Sequence, residues 1–320
     1  MISVISTVKN EIQSLSLWLE SIQSQTKQAD EIIIVDGGST DGTWEWLQNQ
    51  QSRHTNLKAY QVKGNIAHGR NCAITYAKGD YIAVADAGCR YESSWLENIT
   101  APLREGMALC VTTAFGPWLQ DSDTLKTRLI AASTIPQASE FKKHWYPSSR
   151  SIAFTKEVWE KAGRYPEWIP WCEDILFDMA IVKSGISIHF IRVPYVYWQP
   201  RTCVKSYMKQ VFQYTKSDGH GKLFLGRQII RYAVYIGSLV LLAVSFMYSY
   251  IFLLPLLAGL IVYMRKFFMR WISFTRDKNW IYRLSGVVAV PFIVAVGDLA
   301  KMCGWPVGVY ERSMGKIKLE

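Results

Sequence analysis

Residues 31–43 read EIIIVDGGSTDGT, and the architecture of the first half of the chain can be worked out from them. Four β-branched residues in succession predict a buried strand, which ends at a single carboxylate, Asp36. Two glycines then permit a tight turn, and the polar residues around them, including Asp41, can cap a following helix. The stretch therefore predicts a strand, a polar turn and a helix, which is the repeating unit of an α/β sheet.

The same alternation continues on both sides of this turn. Residues 2–8 form a second β-branched run, and apolar residues at helical spacing separate it from the strand at 31–36. Parallel strands joined by helices bring their carboxyl ends to one edge of a sheet, where open α/β folds bind ligands. We therefore predict a mostly parallel, Rossmann-like sheet whose helices and strands alternate through residues 43–50, 57–62, 68–78 and 81–85.

Charge and hydropathy divide the chain into two parts. Of the 320 residues, 49% are hydrophobic and only 19% are charged. Residues 1–200 carry 19 Lys/Arg against 21 Asp/Glu, whereas residues 201–320 carry 17 against 5. A basic and apolar C-terminal part favours an anionic membrane surface over nucleic acid as a partner, with a solvated basic face as the plainer alternative. Six cysteines without a CxxC pair favour reduced thiols in a cytosol-facing protein.

The apolar C-terminal part predicts membrane helices. Residues 206–228 alternate basic and aromatic side chains, which is typical of an interfacial amphipathic helix, here broken near Gly219 and Gly221. From Tyr232 to Met264 no residue is charged, and the flanks on both sides are basic. Because basic flanks are usually cytoplasmic, two short helices turning back near residues 248–250 fit better than one.

A third apolar stretch covers residues 284–303 and contains Pro291 and Asp298. It either crosses the membrane or forms a re-entrant or interfacial segment, and the sequence leaves both possibilities open. We expect a multi-pass inner-membrane protein with a cytoplasmic catalytic domain. The predicted regions are a catalytic domain at 1–205, the amphipathic segment at 206–228, a membrane region at 229–303 with helices at about 232–247, 250–264 and 284–303, and a tail at 304–320.

Three polar turns carry the candidate chemistry. Asp36 can accept a hydrogen bond from a nucleotide base or a ribose, and Asp86 follows the apolar strand at 81–85, where it can bind a metal ion or a ribose. Glu173 and Asp174 begin a predicted helix, whose positive end favours acids. Each turn also has a plain structural interpretation, as a turn former, a solvated loop acid or a helix-start acid.

Other residues near these turns suit a sugar-transfer reaction. Trp168 and Trp171 precede the acidic pair and can stack on the apolar face of a sugar acceptor, while a neighbouring carboxylate takes the proton of its hydroxyl group. Arg70 opens a predicted helix and can face a diphosphate. Nucleoside-diphosphate sugars have an anionic leaving group, which Mg²⁺ or Mn²⁺ held by carboxylates commonly neutralises.

These signals, in this order and spacing, resemble the inverting glycosyltransferases of family 2, which have the GT-A fold. VDGGSTDGT resembles the turn of that family that binds the base and ribose, VADAG stands in the place of its DxD motif, and CED resembles its xED motif. The resemblance implies that Asp174 is the general base, with Glu173 beside it. It also implies a nucleotide-sugar site, which we assign to Asp36, Asp41, Arg70, Asp86, Arg150 and Arg201.

The DxD position departs from the family pattern, because Gly88 replaces the second acid. A metal ion can be held by Asp86 with the diphosphate and waters, or a further residue such as His220 can complete the site. Alternatively, arginines such as Arg70, Arg150 and Arg201 replace the charge of the metal. We expect a weakly held Mg²⁺ or Mn²⁺.

The resemblance implies transfer of a sugar from a nucleotide-diphosphate sugar to a lipid-linked or membrane-proximal acceptor, in the synthesis of a cell-surface glycan or glycolipid. Membrane lipids are an expected partner and nucleic acid is not. A near alternative is a polyprenyl-phosphate glycosyltransferase that makes a lipid-linked sugar donor. An alternative of another class is a non-catalytic, nucleotide-sugar-binding membrane subunit, in which Gly88 marks a lost metal site.

Overall fold

The structure, a computed structural model, describes residues 1–141 and 147–317. The last three residues of the predicted tail lie outside this described part. The chain divides into two compact units. Unit 1 contains Met1–Trp118 and Pro136–Gln199, and unit 2 contains Leu119–Ile135 and Pro200–Glu320.

Unit 1 is built on one eight-stranded sheet in the order β3-β2-β1-β4-β7-β6-β8-β5. The strands are β1 (Ile2–Val8), β2 (Glu31–Asp36), β3 (Leu57–Gln61), β4 (Tyr81–Val84), β5 (Cys89–Tyr91), β6 (Cys110–Pro117), β7 (Ile152–Thr155) and β8 (Ile188–Trp198). The four strands β1 to β4 run parallel to one another, which confirms the predicted alternation of strands and helices. The other half is mixed, because β7 is antiparallel to β4 and β6, and β5 is antiparallel to β8, while β6 and β8 are parallel.

Helices cover the sheet because their apolar residues recur on one face. In the first helix, Leu15, Leu19 and Ile22 are buried, as their helical spacing predicts, while Ile12 of the same face is only partly buried. Trp18 is buried with them. The strands β1 and β2 are buried almost throughout, as is usual for parallel strands covered on both faces. The helices of unit 1 are α1 (Ile12–Gln23), α2 (Thr43–Arg53), α3 (Ile66–Tyr76), α4 (Trp95–Arg104), α6 (Lys156–Lys161) and α7 (Glu173–Lys183).

Unit 2 is helical. It consists of α5 (Leu125–Thr134), α8 (Val204–His220), α9 (Leu225–Met247), α10 (Leu253–Phe274) and α11 (Trp280–Ser313). A short 3₁₀ turn, Tyr250–Phe252, joins α9 to α10 where the sequence predicts the reversal. The helix α8 ends at His220, between the two glycines at which the predicted amphipathic segment is broken.

Three of these helices, α9, α10 and α11, are long and apolar enough to cross a membrane. Few residues in the apolar stretches of α9 and α10 are buried, whereas α11 buries a larger share of its own. The helix α11 begins before and ends after the predicted segment 284–303, since Asn279 caps its start and its second half packs along α8. Pro291 and Pro306 lie inside α11 without ending it.

Glycines set the contact between α8 and α11. A Cβ atom at Gly304 would lie 2.5 Å from the carbonyl oxygen of Phe212, and one at Gly308 would lie 1.8 Å from that of Lys216. On α8, a Cβ atom at Gly219 would lie 2.3 Å from the carbonyl oxygen of Trp305. The two helices therefore meet backbone against backbone, and any larger side chain at these positions would separate them.

Candidate active site

The first acid of the predicted site, Asp36, is completely buried at the end of β2. Its carboxylate accepts hydrogen bonds from the backbone N–H of Ser39, from the Ser39 hydroxyl and from Nε2 of Gln61, the last at 2.8 Å. These bonds hold the Gly37–Gly38 turn against β3. Direct contact between Asp36 and a nucleotide stays a prediction.

Asp41 joins the same turn to two helices. Its carboxylate accepts from the hydroxyl group and the N–H of Thr43, at 2.6 and 3.1 Å, and from the N–H of Ile12 at 3.3 Å. Slight burial raises the pKa of Asp41, but these hydrogen bonds outweigh it and hold the pKa below its ordinary value. Asp41 therefore stays ionised where the starts of α1 and α2 meet.

Arg70 joins the second and third acidic turns. Its side chain, only 2% exposed, donates from Nη2 to Oδ1 of Asp86 at 2.8 Å and from Nη1 to Oε1 of Glu173. Burial alone would lower the pKa of Arg70, but the two carboxylates hold it above its ordinary value. One guanidinium therefore links the turn after β4 to the start of α7, which lie far apart in the sequence.

The acidic pair at the start of α7 occupies two different environments. Glu173 is buried, and burial raises its pKa to about 7 although Arg70 acts in the opposite direction. Asp174 is partly exposed, and its Oδ2 accepts from the Ser148 hydroxyl at 3.3 Å. Its Oδ1 accepts from the N–H of Ile175 at 2.9 Å. Of the pair, Asp174 is the carboxylate open to a substrate.

The residue before this pair has an unusual backbone conformation. Cys172, the N-cap of α7, has a φ of +63°, in the left-handed region that residues other than glycine rarely adopt. Such strain persists only where surrounding contacts impose it, and it is often found next to functional groups. The conformation of Cys172 sets the direction in which the chain enters α7 at Glu173 and Asp174.

Arg150 lies on the same side-chain network. Its Nη1 donates to the Ser148 hydroxyl at 2.6 Å, and its guanidinium carbon lies 4.0 Å from the centre of the Trp198 ring. Since Ser148 also bonds Asp174, the sequence-predicted residues Arg150 and Asp174 are joined through one hydroxyl group. A cation stacked on an aromatic ring keeps its charge while it is held in place.

The remaining predicted residues lie in two places. In unit 1, Trp168 is half-buried and Trp171 is 42% exposed, just before α7. In unit 2, Arg201 is exposed, and His220 is buried with its Nε2 2.9 Å from Oε2 of Glu311. This contact occupies one ring nitrogen of His220, so its role as a metal ligand rests on the sequence alone.

Sequence reasoning missed three side chains around α7. Ser148 stands two residues before Arg150 and carries no sequence signal of its own. Tyr165 stacks on Phe177, with ring centres 4.1 Å apart, and lies 5.4 Å from the guanidinium carbon of Arg70. Asp178 is buried one turn after Asp174, and within the described part of the chain neither of its carboxylate oxygens has a hydrogen-bond partner.

Burial, followed by the neighbouring Asp174, raises the pKa of Asp178 well above its ordinary value. A helical spacing of four residues puts the two carboxylates on one face, and this could have been read from the sequence. The burial of that face could not have been read from the sequence.

The residues around Asp86 fit a metal ion that needs few protein ligands. Across residues 1–141 and 147–317, no three His, Cys, Asp or Glu side chains form a group that could hold one. Asp86 offers one carboxylate, 26% exposed, and Mg²⁺ commonly accepts one or two carboxylates with phosphate oxygens and water. The side chains therefore fit an ion held jointly with a diphosphate, and not one held by protein ligands alone.

Gly88, at the position of the second acid, lies in open space. A Cβ atom there would meet no other atom within 4 Å, and the backbone does not have a positive φ. The carbonyl oxygen of Gly88 accepts from the N–H of Gln199 at 3.4 Å, which ties the turn to the end of β8. The glycine is therefore not required by the backbone.

Comparison with known proteins identifies the family. The sequence profile of glycosyl transferase family 2 matches residues 3–162. Glycosyltransferase AglE of Haloferax volcanii is 34% identical over 194 residues, 59% of this chain and 64% of that protein. The UDP-Glc:alpha-D-GlcNAc-diphosphoundecaprenol beta-1,3-glucosyltransferase WfaP of Escherichia coli is 36% identical over 99 residues, 31% of this chain and 39% of that protein. The chain thus matches less than two thirds of the length of these curated relatives.

Among solved structures, the mannosyltransferase PcManGT of Pyrobaculum calidifontis, in complex with GDP-Man and Mn²⁺, superposes with a TM-score of 0.56. The superposition covers 98% of this chain and 87% of that one at 16% sequence identity, so it bears on the fold. The chain belongs to glycosyltransferase family 2. It has the GT-A fold that its sequence motifs predict, with apolar helices at its C-terminal end.

Proposed function

We propose that this protein transfers a sugar, with inversion, from a nucleotide-diphosphate sugar to a lipid-linked or membrane-proximal acceptor. The observation that carries the proposal is the double contact of Arg70 with Asp86 and Glu173. Through this contact, the turn expected to face the donor and the helix expected to carry the general base belong to one network. Alignment of donor and acceptor is then built into the fold before either binds.

Asp174 is the proposed general base. It is partly exposed, whereas its neighbours Glu173 and Asp178 are buried with raised pKa values. Hydrogen bonds from Ser148 and from the N–H of Ile175 orient its carboxylate. Asp174 removes the proton of the acceptor hydroxyl as the oxygen attacks the anomeric carbon, from the face opposite the nucleotide.

The donor diphosphate is the proposed partner of Asp86 and Arg150. Asp86 would hold Mg²⁺ or Mn²⁺ together with the diphosphate oxygens, and the ion, when bound, neutralises charge on the leaving group. Arg150, held by Ser148 and the Trp198 ring, supplies a positive charge that is fixed before the reaction begins. The charge of Arg150 thereby supplements that of a metal ion that is held weakly because Gly88 stands in place of the second acid.

A lipid-linked acceptor is supported by two observations. The name of the E. coli relative states a diphosphoundecaprenol-linked acceptor, and the name of a Methanococcus voltae relative, 23% identical over 68% of this chain, states a dolichyl-phosphate-linked one. This chain carries three apolar helices of membrane-spanning length. We propose an inner-membrane protein whose catalytic unit faces the cytoplasm, where nucleotide sugars are made.

The test is transfer of labelled sugar by the full chain in membranes, from a panel of nucleotide sugars to polyprenyl-diphosphate-sugar or to polyprenyl phosphate. Product on the first acceptor supports the proposal, and product on polyprenyl phosphate alone supports a carrier-loading enzyme instead. Inversion is read from the anomeric configuration of the product by NMR.

The base assignment has its own pair of variants. Asp174→Asn should lower kcat by about 10²- to 10⁴-fold, while Asp80→Asn, a change at an exposed carboxylate, should not. Unchanged turnover in Asp174→Asn would remove Asp174 as the base. A folded protein that binds nucleotide sugar but neither transfers nor hydrolyses it would be a non-catalytic subunit.

A further inference from the structure

A cluster of charged and hydroxyl side chains lies among the apolar helices of unit 2. We call it the Asp298 cluster, and it consists of Asp298 and Lys301 from α11, Arg231 and Tyr235 from α9, and Tyr263 from α10. Asp298 is only 2% exposed, and its Oδ1 accepts from Arg231 Nε at 3.2 Å and from Lys301 Nζ at 3.1 Å. Its Oδ2 accepts from the hydroxyl groups of Tyr235 and Tyr263, at 3.2 and 2.5 Å.

The cluster has more positive than negative charge. One carboxylate faces two cations, and Arg270 on α10 is near enough to act electrostatically on Lys301 as well. Asp298 takes one donor from each cation, at Arg231 Nε and Lys301 Nζ. Arg231 also donates from Nη1 to Oε1 of Gln228. A guanidinium has five N–H donors and an ammonium has three, so both side chains still keep donors for an anion.

Both cationic side chains are partly exposed. The side chain of Arg231 is 15% exposed and that of Lys301 is 19% exposed, whereas Asp298 lies beneath them. Their neighbours along the helices, Ile230 and Leu299, are more than half exposed. The two partly exposed cations therefore belong to helices whose exposed side chains are largely apolar.

Uncompensated positive charge at an apolar, lipid-facing surface is costly, and ionisable groups among membrane helices commonly mark a binding site. Basic pockets between such helices suit the phosphate groups of lipids. The two tyrosines hold Asp298, and Asp298 holds the two cations side by side, so their spacing is set before a ligand arrives.

We propose that Arg231 and Lys301 bind the phosphate of an anionic lipid at the surface of the α9–α11 contact. Asp298, Tyr235 and Tyr263 orient the two cations and do not touch the ligand. This site is separate from the residues that carry glycosyl transfer, and it does not depend on the proposed function. The phosphate belongs either to a bulk phospholipid or to a polyprenyl-diphosphate lipid, and the experiment distinguishes these sources.

The test measures lipid retained by the purified full chain in detergent, by native mass spectrometry. Three probes are compared, namely phosphatidylglycerol, polyprenyl diphosphate and zwitterionic phosphatidylcholine. The unmodified protein should retain at least one of the anionic lipids over phosphatidylcholine, and less of it as salt is raised. Lys301→Gln and Arg231→Gln should each weaken retention about fivefold.

Arg265→Gln is the matched control, because it removes an exposed cation of α10 that has no part in the cluster. Lys301→Arg keeps the charge and should restore retention, which a merely structural role in helix packing would not require. Two separate single variants keep the test valid if one of them does not fold.

The outcomes are distinct. Retention of phosphatidylglycerol that depends on Lys301 identifies a phospholipid site, and Lys301-dependent retention of polyprenyl diphosphate alone identifies an acceptor-lipid site. Equal retention of anionic and zwitterionic lipids overturns the proposal, as does an equal loss in Lys301→Gln and Arg265→Gln. Failure here would leave sugar transfer by unit 1 unaffected, so the two proposals are judged separately.

Discussion

Arg70 Nη2 lies 2.8 Å from Asp86 Oδ1, and the other terminal nitrogen of the same guanidinium is bonded to Glu173. A planar fork can hold two carboxylates at once, which a lysine ammonium on a flexible stem cannot do with the same geometry. The carboxylates would otherwise repel each other across the site. Arg70 is thus a positioning residue for both acidic turns.

Arg70→Lys should lower turnover by roughly 10- to 100-fold, because the positive charge remains while the double contact is lost. Its unfolding temperature should also fall, since one buried carboxylate loses its partner. Steady-state kinetics and thermal unfolding measure the two effects. The control is Arg104→Lys at the exposed end of α4, and equal kinetics for the two variants would refute the positioning role.

Gly88→Asp should strengthen the response of the enzyme to Mn²⁺, lowering the half-saturating concentration by roughly tenfold, since a second carboxylate joins Asp86. The added side chain meets no atom within 4 Å of its Cβ, so the fold should not change. Activity as a function of Mn²⁺ concentration measures the effect. Gly88→Ala fills the same space without charge, and an equal shift in that variant would contradict the metal interpretation.

Asp178→Asn should stabilise the protein, and increasingly so as pH rises. The folded-state pKa of Asp178 is raised by burial above the unfolded value, so the stability that its protonated form contributes is present at acidic pH and is lost as pH rises towards the folded-state pKa. Asparagine carries no charge to bury. The unfolding temperature of the variant should therefore exceed that of the unmodified protein, by a difference that grows as pH rises above about 4.

For this prediction Asp80→Asn is the exposed control, and its unfolding temperature should follow the unmodified protein at every pH. Parallel pH profiles for Asp178→Asn and the unmodified protein would show that Asp178 is not a costly buried acid.

Cys172→Gly should be tolerated or slightly stabilising, because glycine adopts a φ of +63° without strain. Cys172→Val should destabilise the start of α7 by about 1–3 kcal/mol, since a β-branched side chain is strongly disfavoured there. Chemical unfolding measures both changes. If valine were as stable as glycine, the left-handed conformation would not be what fixes the approach to Glu173.

The parallel half of the sheet was predictable because its signals are local. β-branched runs such as 32–35 and glycine-rich turns such as 37–38 are read within a few residues. The mixed half was not, since β5 and β8 pair across about a hundred residues and β6 departs from regular register near Thr113. Non-local pairing of short strands leaves no periodic trace in the sequence.

The site was partly predictable for the same reason. Asp86, Glu173 and Asp174 stand at strand and helix ends, where motif and position agree. Arg70 was expected to face a diphosphate, yet its observed partners are carboxylates, because its place on α3 beside the buried Ala67 and Ala73 directs it inward. A side chain that acts by joining distant residues is recognised only once the fold brings them together.

The glycines of α8 and α11 have a mechanical consequence. At Gly304 and Gly308 the backbones of α8 and α11 come so close that little room is left for a side chain to rearrange. We therefore expect α8 and α11 to tilt together, and not independently, where these glycines hold them in contact.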